Sequence, residues 1–380
     1  FGASPLRLKE FNFSKFDPSD LKAIPDQLDM KTCSLESLTL ELNIEGCRIA
    51  KRAIKKYRAQ PDYDGRPLFV AGSIGPSNYV VSSTEANLNK GTFGQIVENF
   101  YHQVLGLVEG GADVLLIETQ QDILETKAII AGANKAFAEK KKKLPMIVQA
   151  TVDVFSKMQI FNTDIHAAYT AVSKMGIDVF GINCNVGPEE MLATVEKLSR
   201  FCRHPISVVP NAGQPISEDG QTCYKLSPED MANTMEPFVR EYGVSIVGGC
   251  CGTTPAHIKA LREKLNGVVP APRQPDKKVY VSGPQEAVPI ETSKGLLRIG
   301  ERLNVRGSKL VRDAVEKEGE EISMQVLEEV VNEQVKDLGI EIIDVCMDSN
   351  IVETEEVLPA IIHGLTSDFK GVMCIDSFSV

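Results

Sequence analysis

The sequence predicts an α/β protein: a (β/α)8 TIM-type barrel lacking its first strand, followed by the first βα units of a second (β/α)8 barrel. Three observations predict it. Six short, continuous apolar runs alternate with helical stretches between residues 67 and 265. Polar and glycine residues follow many of these runs, not one. After a Pro/Gly-rich stretch the same rhythm restarts. Continuous apolar runs suit strands buried on both faces, and regular alternation with helices means parallel βα units. An open doubly wound sheet would concentrate its polar strand ends at one switch point, so the barrel is preferred.

Taken in order, Phe1-Gly2-Ala3-Ser4 resembles the tail of a strand, and residues 5–60 are mostly polar and helical. An amphipathic pattern over 40–59 presents Arg48, Lys51, Arg52, Lys55 and Lys56, which read as a solvated helix face. The strand runs begin at Pro67, Ala112, Pro145, Ile177, Pro205 and Val244. Helices are expected over 92–109, 122–138, 164–175, 188–201, 227–242 and 255–265. With the stump at Phe1 the strands fall one short of the eight that a barrel of ~250 residues uses. The start at Phe1 and the stop at Val380, straight after a strand, read as cuts in a longer chain.

Gly267, Pro270, Pro272, Pro275, Gly283, Pro284 and Pro289 mark 267–293 as a linker. The expected domains are therefore 1–266, a linker 267–293, and 294–380. In the last, strands are expected at 296–300, 340–348 and 372–377, with a long helix over 320–338.

Of 380 residues, 43% are hydrophobic and 24% charged, an ordinary globular composition. The net charge of −11 argues against a nucleic-acid or anionic-membrane surface. No apolar run approaches the ~20 residues of a membrane span. No secretory pattern opens the chain, so the nine cysteines are expected to be reduced thiols in the cytoplasm.

Active sites of βα barrels lie at the C-terminal strand ends. This chain places Ser73, Glu118, Gln149, Asn183-Cys184, Asn211 and Cys250-Cys251 there. The adjacent pair sits in Gly248-Gly249-Cys250-Cys251-Gly252-Thr253-Thr254-Pro255, between a strand and a helix that starts with a hydroxyl cap and a proline. Adjacent cysteines seldom reach disulfide geometry but make half of a soft-metal site. Cys184 alone would read as a small buried residue. At the matching level two strands back, it completes three thiolates with an open fourth position. Such a site favours an incoming thiol, which it deprotonates at neutral pH. Glu118 reads either as a structural carboxylate or as an acceptor for a substrate amino group, and spacing leaves both open.

Gly-Ile-Asn-Cys at 181–184, Pro-Asn-Ala-Gly at 210–213 and Gly-Gly-Cys-Cys-Gly-Thr-Thr-Pro at 248–255 resemble the zinc and substrate motifs of the homocysteine S-methyltransferase family. The resemblance runs from Phe1 to about Leu265. It implies Zn2+ held by Cys184, Cys250 and Cys251, and a homocysteine thiolate that accepts a methyl group. It implies that Asn211 can take the fourth metal position without substrate, and that Glu118 binds the homocysteine amino group. Ser73 is counted as a further substrate contact. The family's first-strand Asp-Gly loop is absent here, which implies an incomplete substrate pocket.

Ile299-Gly-Glu-Arg-Leu-Asn304, Ile342-Ile-Asp-Val-Cys-Met-Asp348 and Ile375-Asp376-Ser377 resemble the pterin-binding barrel of cobalamin-dependent members. This implies methyltetrahydrofolate as cosubstrate, near Asn304, Asp348 and Asp376. It also implies methylcobalamin, carried by a module of the full-length chain outside this sequence. Cys346 stands where the family shows an asparagine, which removes an amide donor and acceptor. Two alternatives stay open: a fusion to a methylenetetrahydrofolate reductase barrel, and a non-catalytic zinc or thiol-binding scaffold.

Overall fold

A computed structural model describes residues 38–82, 91–218, 220–291, 295–316, 322–350, 353–366 and 369–378. The expected strand tail at Phe1 lies outside the described residues. The described chain forms two compact units. One holds the residues up to Gln159 and Val172–Gln274; the other holds Ile160–Ala171 and Pro275 onward.

The first unit opens with α1 (Thr39–Arg58), on the amphipathic stretch expected there. Then follow β1 (Ala71–Ile74), α2 (Phe93–Gly110), β2 (Val114–Gln120), α3 (Ile123–Lys140) and β3 (Met146–Ala150). α4 (Ile165–Val172) falls in the other unit except for its last residue, and the first unit resumes with β4 (Val179–Asn183), α5 (Pro188–Phe201) and β5 (Ile206–Val209). A hairpin of β6 (Ile216–Glu218) and β7 (Gln221–Cys223) precedes α6 (Pro228–Arg240), β8 (Ile246–Val247) and α7 (Pro255–Leu265).

The helix starts follow local chemistry. Thr92 and Gln95 cap α2 reciprocally, Asp122 accepts from Leu124 N at 2.8 Å to start α3, and Ser227 accepts from Asp230 N at 3.1 Å to start α6. Prolines stand at the starts of α5, α6 and α7, where a missing N–H costs nothing.

The main strands form one parallel sheet in the order β1-β2-β3-β4-β5-β8, curled as a half-barrel consistent with a TIM-type barrel. Strand residues alternate between two faces. On β2, Leu115 and Ile117 are fully buried, whereas Val114, Leu116 and Glu118 on the other face are half-buried. The same core takes in Phe100, Ile129, Val148, Phe180, Ile182, Val208 and Phe238. Burying each such side chain stabilises by ~1.5–3 kcal/mol.

On β4, Gly181 permits a close strand approach: a Cβ there would lie 1.8 Å from the Ser207 carbonyl oxygen on β5. Gln149 of β3 crosses over that glycine to donate to Ser207 Oγ at 2.7 Å. Among the described residues no helix is long and apolar enough to cross a membrane.

The second unit contains a hairpin, β9 (Val279–Ser282) with β10 (Ala287–Ile290), within the stretch expected to be a linker. It is anchored inside that unit by Thr163 Oγ1 donating to Pro284 O and Gln285 Nε2 to Phe161 O, both at 2.7 Å. Then β11 (Ile299–Asn304), β12 (Ile342–Cys346) and β13 (Val372–Asp376) form a three-stranded parallel sheet. Helices α8 (Lys309–Val315), α9 (Met324–Asn332) and α10 (Thr354–Leu365) accompany it. Leu303, Val311, Leu327, Ile343, Val345 and Ile361 form its core. The helix expected over 320–338 is α9 followed by a π segment, Glu333–Asp337. The π segment carries buried Gln334, whose Oε1 accepts from Arg302 N at 3.1 Å. Arg302 lies in a bulge of β11 between Gly300 and Leu303, so Gln334 satisfies a backbone donor that the sheet leaves unpaired.

Candidate metal centre

Both cysteine loci are tied by backbone to the end of β5, the strand between them. After β4 ends at Asn183, Cys184 and Asn185 both adopt left-handed backbone, with φ 63° and 66°. A left-handed cysteine is strained by ~1–2 kcal/mol and needs support. The support comes from Cys184 N donating to Val209 O at 3.1 Å and Asn185 Nδ2 to Val152 O at 2.9 Å. On the other side, Gly248 and Gly249 end β8. Cys250 N then donates to Pro210 O at 2.7 Å, Cys251 N to Asn211 Oδ1 at 3.1 Å, and Ala212 N to Cys251 O at 2.9 Å.

The three sulfurs converge. Cys184 Sγ lies 3.8 Å from Cys251 Sγ, Cys250 Sγ lies 4.0 Å from Cys251 Sγ, and all three fall within 4.8 Å of one another. Zn–S bonds of ~2.3 Å in a tetrahedron place sulfurs about 3.8 Å apart. The donor set therefore fits zinc. Cys251 is exposed, while Cys184 and Cys250 are half-buried, so the group opens to solvent on one side.

Crowding splits the thiols. Hydrogen bonding from Cys250, helped by the Asn185 backbone, Cys251 and Asn211, brings Cys184 down to about 6. Cys250 is pushed up, first by donating to Cys184 and then by burial. Burial, then the charge on Cys184, pushes Cys251 up. Without metal the trio thus shares one negative charge.

Glu118 stands on a bulge of β2, where the pairing with β3 shifts between Ile117 and Gln120. Thr119 has φ 61°, unusual for a β-branched residue. Ser73 Oγ donates to Glu118 Oε1, and Asn183 Nδ2 lies 3.5 Å from Glu118 Oε2. The carboxylate, Ser73 and the sulfur set therefore share one strand-end rim. Asn211 Oδ1 accepts from Cys251 N.

Asn183 was placed at this rim from sequence but given no role, and His257 and Tyr224 were not singled out. Asn183 lies inside the 181–184 motif, and its signal was a polar residue ending a buried strand. Its Nδ2 also reaches Cys250 Sγ at 3.9 Å. Buried His257 sits one turn into α7, where its Nδ1 accepts from Thr254 N at 3.2 Å. Its proton is therefore on Nε2, which donates to Leu226 O at 2.9 Å. Tyr224, whose ring packs on Gly252 beside Cys251, is a lone aromatic after a polar hairpin and carries no local signal.

In the second unit, Asn304, Cys346 and Asp376 pair across β11, β12 and β13 in one row. Asn304 Oδ1 accepts from Arg306 N and Gly307 N, both at 2.9 Å. Buried Asp348 accepts from Ser377 Oγ at 3.0 Å and from Phe378 N, and these bonds, the second foremost, hold its carboxyl below the usual range. Cys346 is buried beside Asp376, and burial pushes its thiol up.

Residues 21–265 match the family described as Homocysteine S-methyltransferase. Methionine synthase of Mycobacterium tuberculosis (strain ATCC 25618 / H37Rv) is 35% identical over 308 residues, which cover 81% of this chain and 25% of that protein. Methionine synthase of Mycobacterium leprae (strain TN) is 33% identical over 313 residues, with the same coverage. The chain thus spans about a quarter of the length of these relatives. The apo structure of the homocysteine methyltransferase MmuM from Escherichia coli matches at 24% identity and a TM-score of 0.46, over 64% of this chain and 77% of that one.

Proposed function

Since this chain belongs to the homocysteine S-methyltransferase family, we propose that it is the homocysteine-activating part of a cobalamin-dependent methionine synthase. The convergence of three sulfurs within 4.8 Å of one another carries the reading. Cys184, Cys250 and Cys251 would hold Zn2+. Bound there, zinc supplies Lewis acidity that keeps a substrate thiol ionised at neutral pH. Glu118 is the acceptor for the amino group of homocysteine, and Ser73 and Asn183 hold the Glu118 carboxylate in place. Asn211 orients the Cys251 backbone from the strand between the two cysteine loci, and is available to the metal when substrate is absent. The methyl group passes to the substrate sulfur, and the product is methionine.

In the full-length enzyme the methyl group comes from 5-methyltetrahydrofolate by way of methylcobalamin, held on a module outside this sequence. The row Asn304–Cys346–Asp376, with Asp348 beside it, begins a pterin-binding barrel over 294–380. The homocysteine domain, proposed over 1–266, is described in the first unit by residues within 38–159 and 172–266. The test is metal analysis with zinc-edge X-ray absorption, before and after homocysteine. One zinc per chain with three sulfur neighbours, rising to four with homocysteine, is expected. An unchanged sulfur count refutes thiol activation.

A further inference from the structure

The β6–β7 hairpin has no role in the reading above, yet the residue that leaves it reaches the sulfur cluster. The ring of Tyr224 lies against the backbone of Gly252, directly after the cysteine pair. A Cβ built on Gly252 would come within 2.3 Å of Tyr224 Cγ and 2.5 Å of its Cβ. Gly252 also has φ 76°, so both conformation and space require glycine there. The ring thus stands beside Cys251, and burial and then the Cys251 sulfur push its phenol up.

The segment behind Tyr224 is held at the same rim. Leu226 N donates to Ala212 O at 3.1 Å, and His257 Nε2 donates to Leu226 O at 2.9 Å. Ala212 follows Asn211, and His257 caps the helix that begins after the cysteine loop. Polar side chains thus surround the trio: Asn183 Nδ2 reaches Cys250 Sγ at 3.9 Å, Asn211 Oδ1 accepts from Cys251 N, and the Tyr224 ring stands beside Cys251 on Gly252.

We propose that Tyr224 is a positioning residue of the metal centre, whose ring covers Gly252 and whose O–H donates to Cys251 Sγ, aiming that sulfur at the other two and moderating its donor strength. This rests on the zinc reading given above. A metal-bound thiolate can only accept, so the phenol is the donor. Groups that hold ligands in this way typically contribute about 10–100-fold to metal affinity. A hydrogen bond also lowers the energy of the sulfur lone pairs, so its loss moves sulfur-to-metal charge transfer to lower energy.

The test compares wild type with Tyr224→Phe in the whole chain. Phe keeps the ring on Gly252 and removes only the O–H, so a packing role alone leaves both readouts unmoved. Zinc affinity from chelator competition is expected to fall about tenfold. In the Co(II)-loaded protein the thiolate charge-transfer band is expected to shift to longer wavelength. If wild type shows the band and Tyr224→Phe changes neither band nor affinity, the positioning role is overturned while the metal site stands. A wild-type protein with no thiolate band overturns the zinc reading, and this proposal with it.

Discussion

Asn183 and Thr119 are joined twice: Thr119 N donates to Asn183 Oδ1 at 2.7 Å, and Asn183 Nδ2 donates to Thr119 Oγ1 at 2.8 Å. The pair closes the β2 bulge from the end of β4. It fixes the direction of Glu118 and sets the residue before Cys184. One amide thus ties the carboxylate to the sulfur set.

Asn183→Ala removes both bonds and leaves the buried Thr119 N–H and hydroxyl unpaired. The expected loss is ~1–3 kcal/mol of stability, read from denaturant unfolding. An unfolding midpoint equal to that of wild type would show that the bulge holds itself.

Cys251→Ala and Cys184→Ala should each abolish stoichiometric zinc. Cys374→Ala, at an exposed thiol in the second unit, should keep it. Metal analysis of the purified chains decides, and full zinc in Cys251→Ala would sink the site.

Zinc binding near pH 7 should release about two protons. Cys184, held at about 6, is already ionised at that pH, while Cys250 and Cys251 are pushed up and still carry their protons. All three must be thiolates to ligate. Below pH 6 the release should rise toward three, because Cys184 is then protonated too. Titration calorimetry in buffers of differing ionisation enthalpy measures the count. A value near three already at pH 7 would mean that Cys184 is not depressed.

Glu118→Gln should leave zinc content unchanged and weaken homocysteine binding. Losing a charge-assisted bond costs ~1.5–3 kcal/mol, about 10–100-fold in affinity. Unaltered homocysteine affinity would return Glu118 to a structural role.

Gly181→Ala would drive a methyl group into the Ser207 carbonyl, 1.8 Å from the new Cβ, and push β4 from β5. Overpacking of this kind costs ~1–3 kcal/mol or more. A lower melting temperature together with lost zinc is the expected pair of readouts, since Cys184 rides on β4.

The strand and helix order was legible because hydrophobic period and capping are local. The α5 and α7 spans follow directly from Pro188 and from Thr254-Pro255. The linker stretch hid the β9–β10 hairpin because its prolines and glycines mask a weak strand pattern. The β6–β7 hairpin likewise sits in a polar segment with no apolar alternation.

The sequence alone determined which residues could ligate, through an adjacent cysteine pair between glycines at a strand end, and a third cysteine at the matching level. Only the tertiary structure decided how those groups are held. The left-handed turn at Cys184, the bulge at Glu118–Thr119 and the approach of Tyr224 to Gly252 depend on partners far along the chain. Cys184 and Cys251 meet across 67 residues, and Thr119 and Asn183 across 64. Hydrophobic period reports which face a residue takes within its own element. The angle at which one loop meets another is set by the packing of the whole sheet, which no local pattern records.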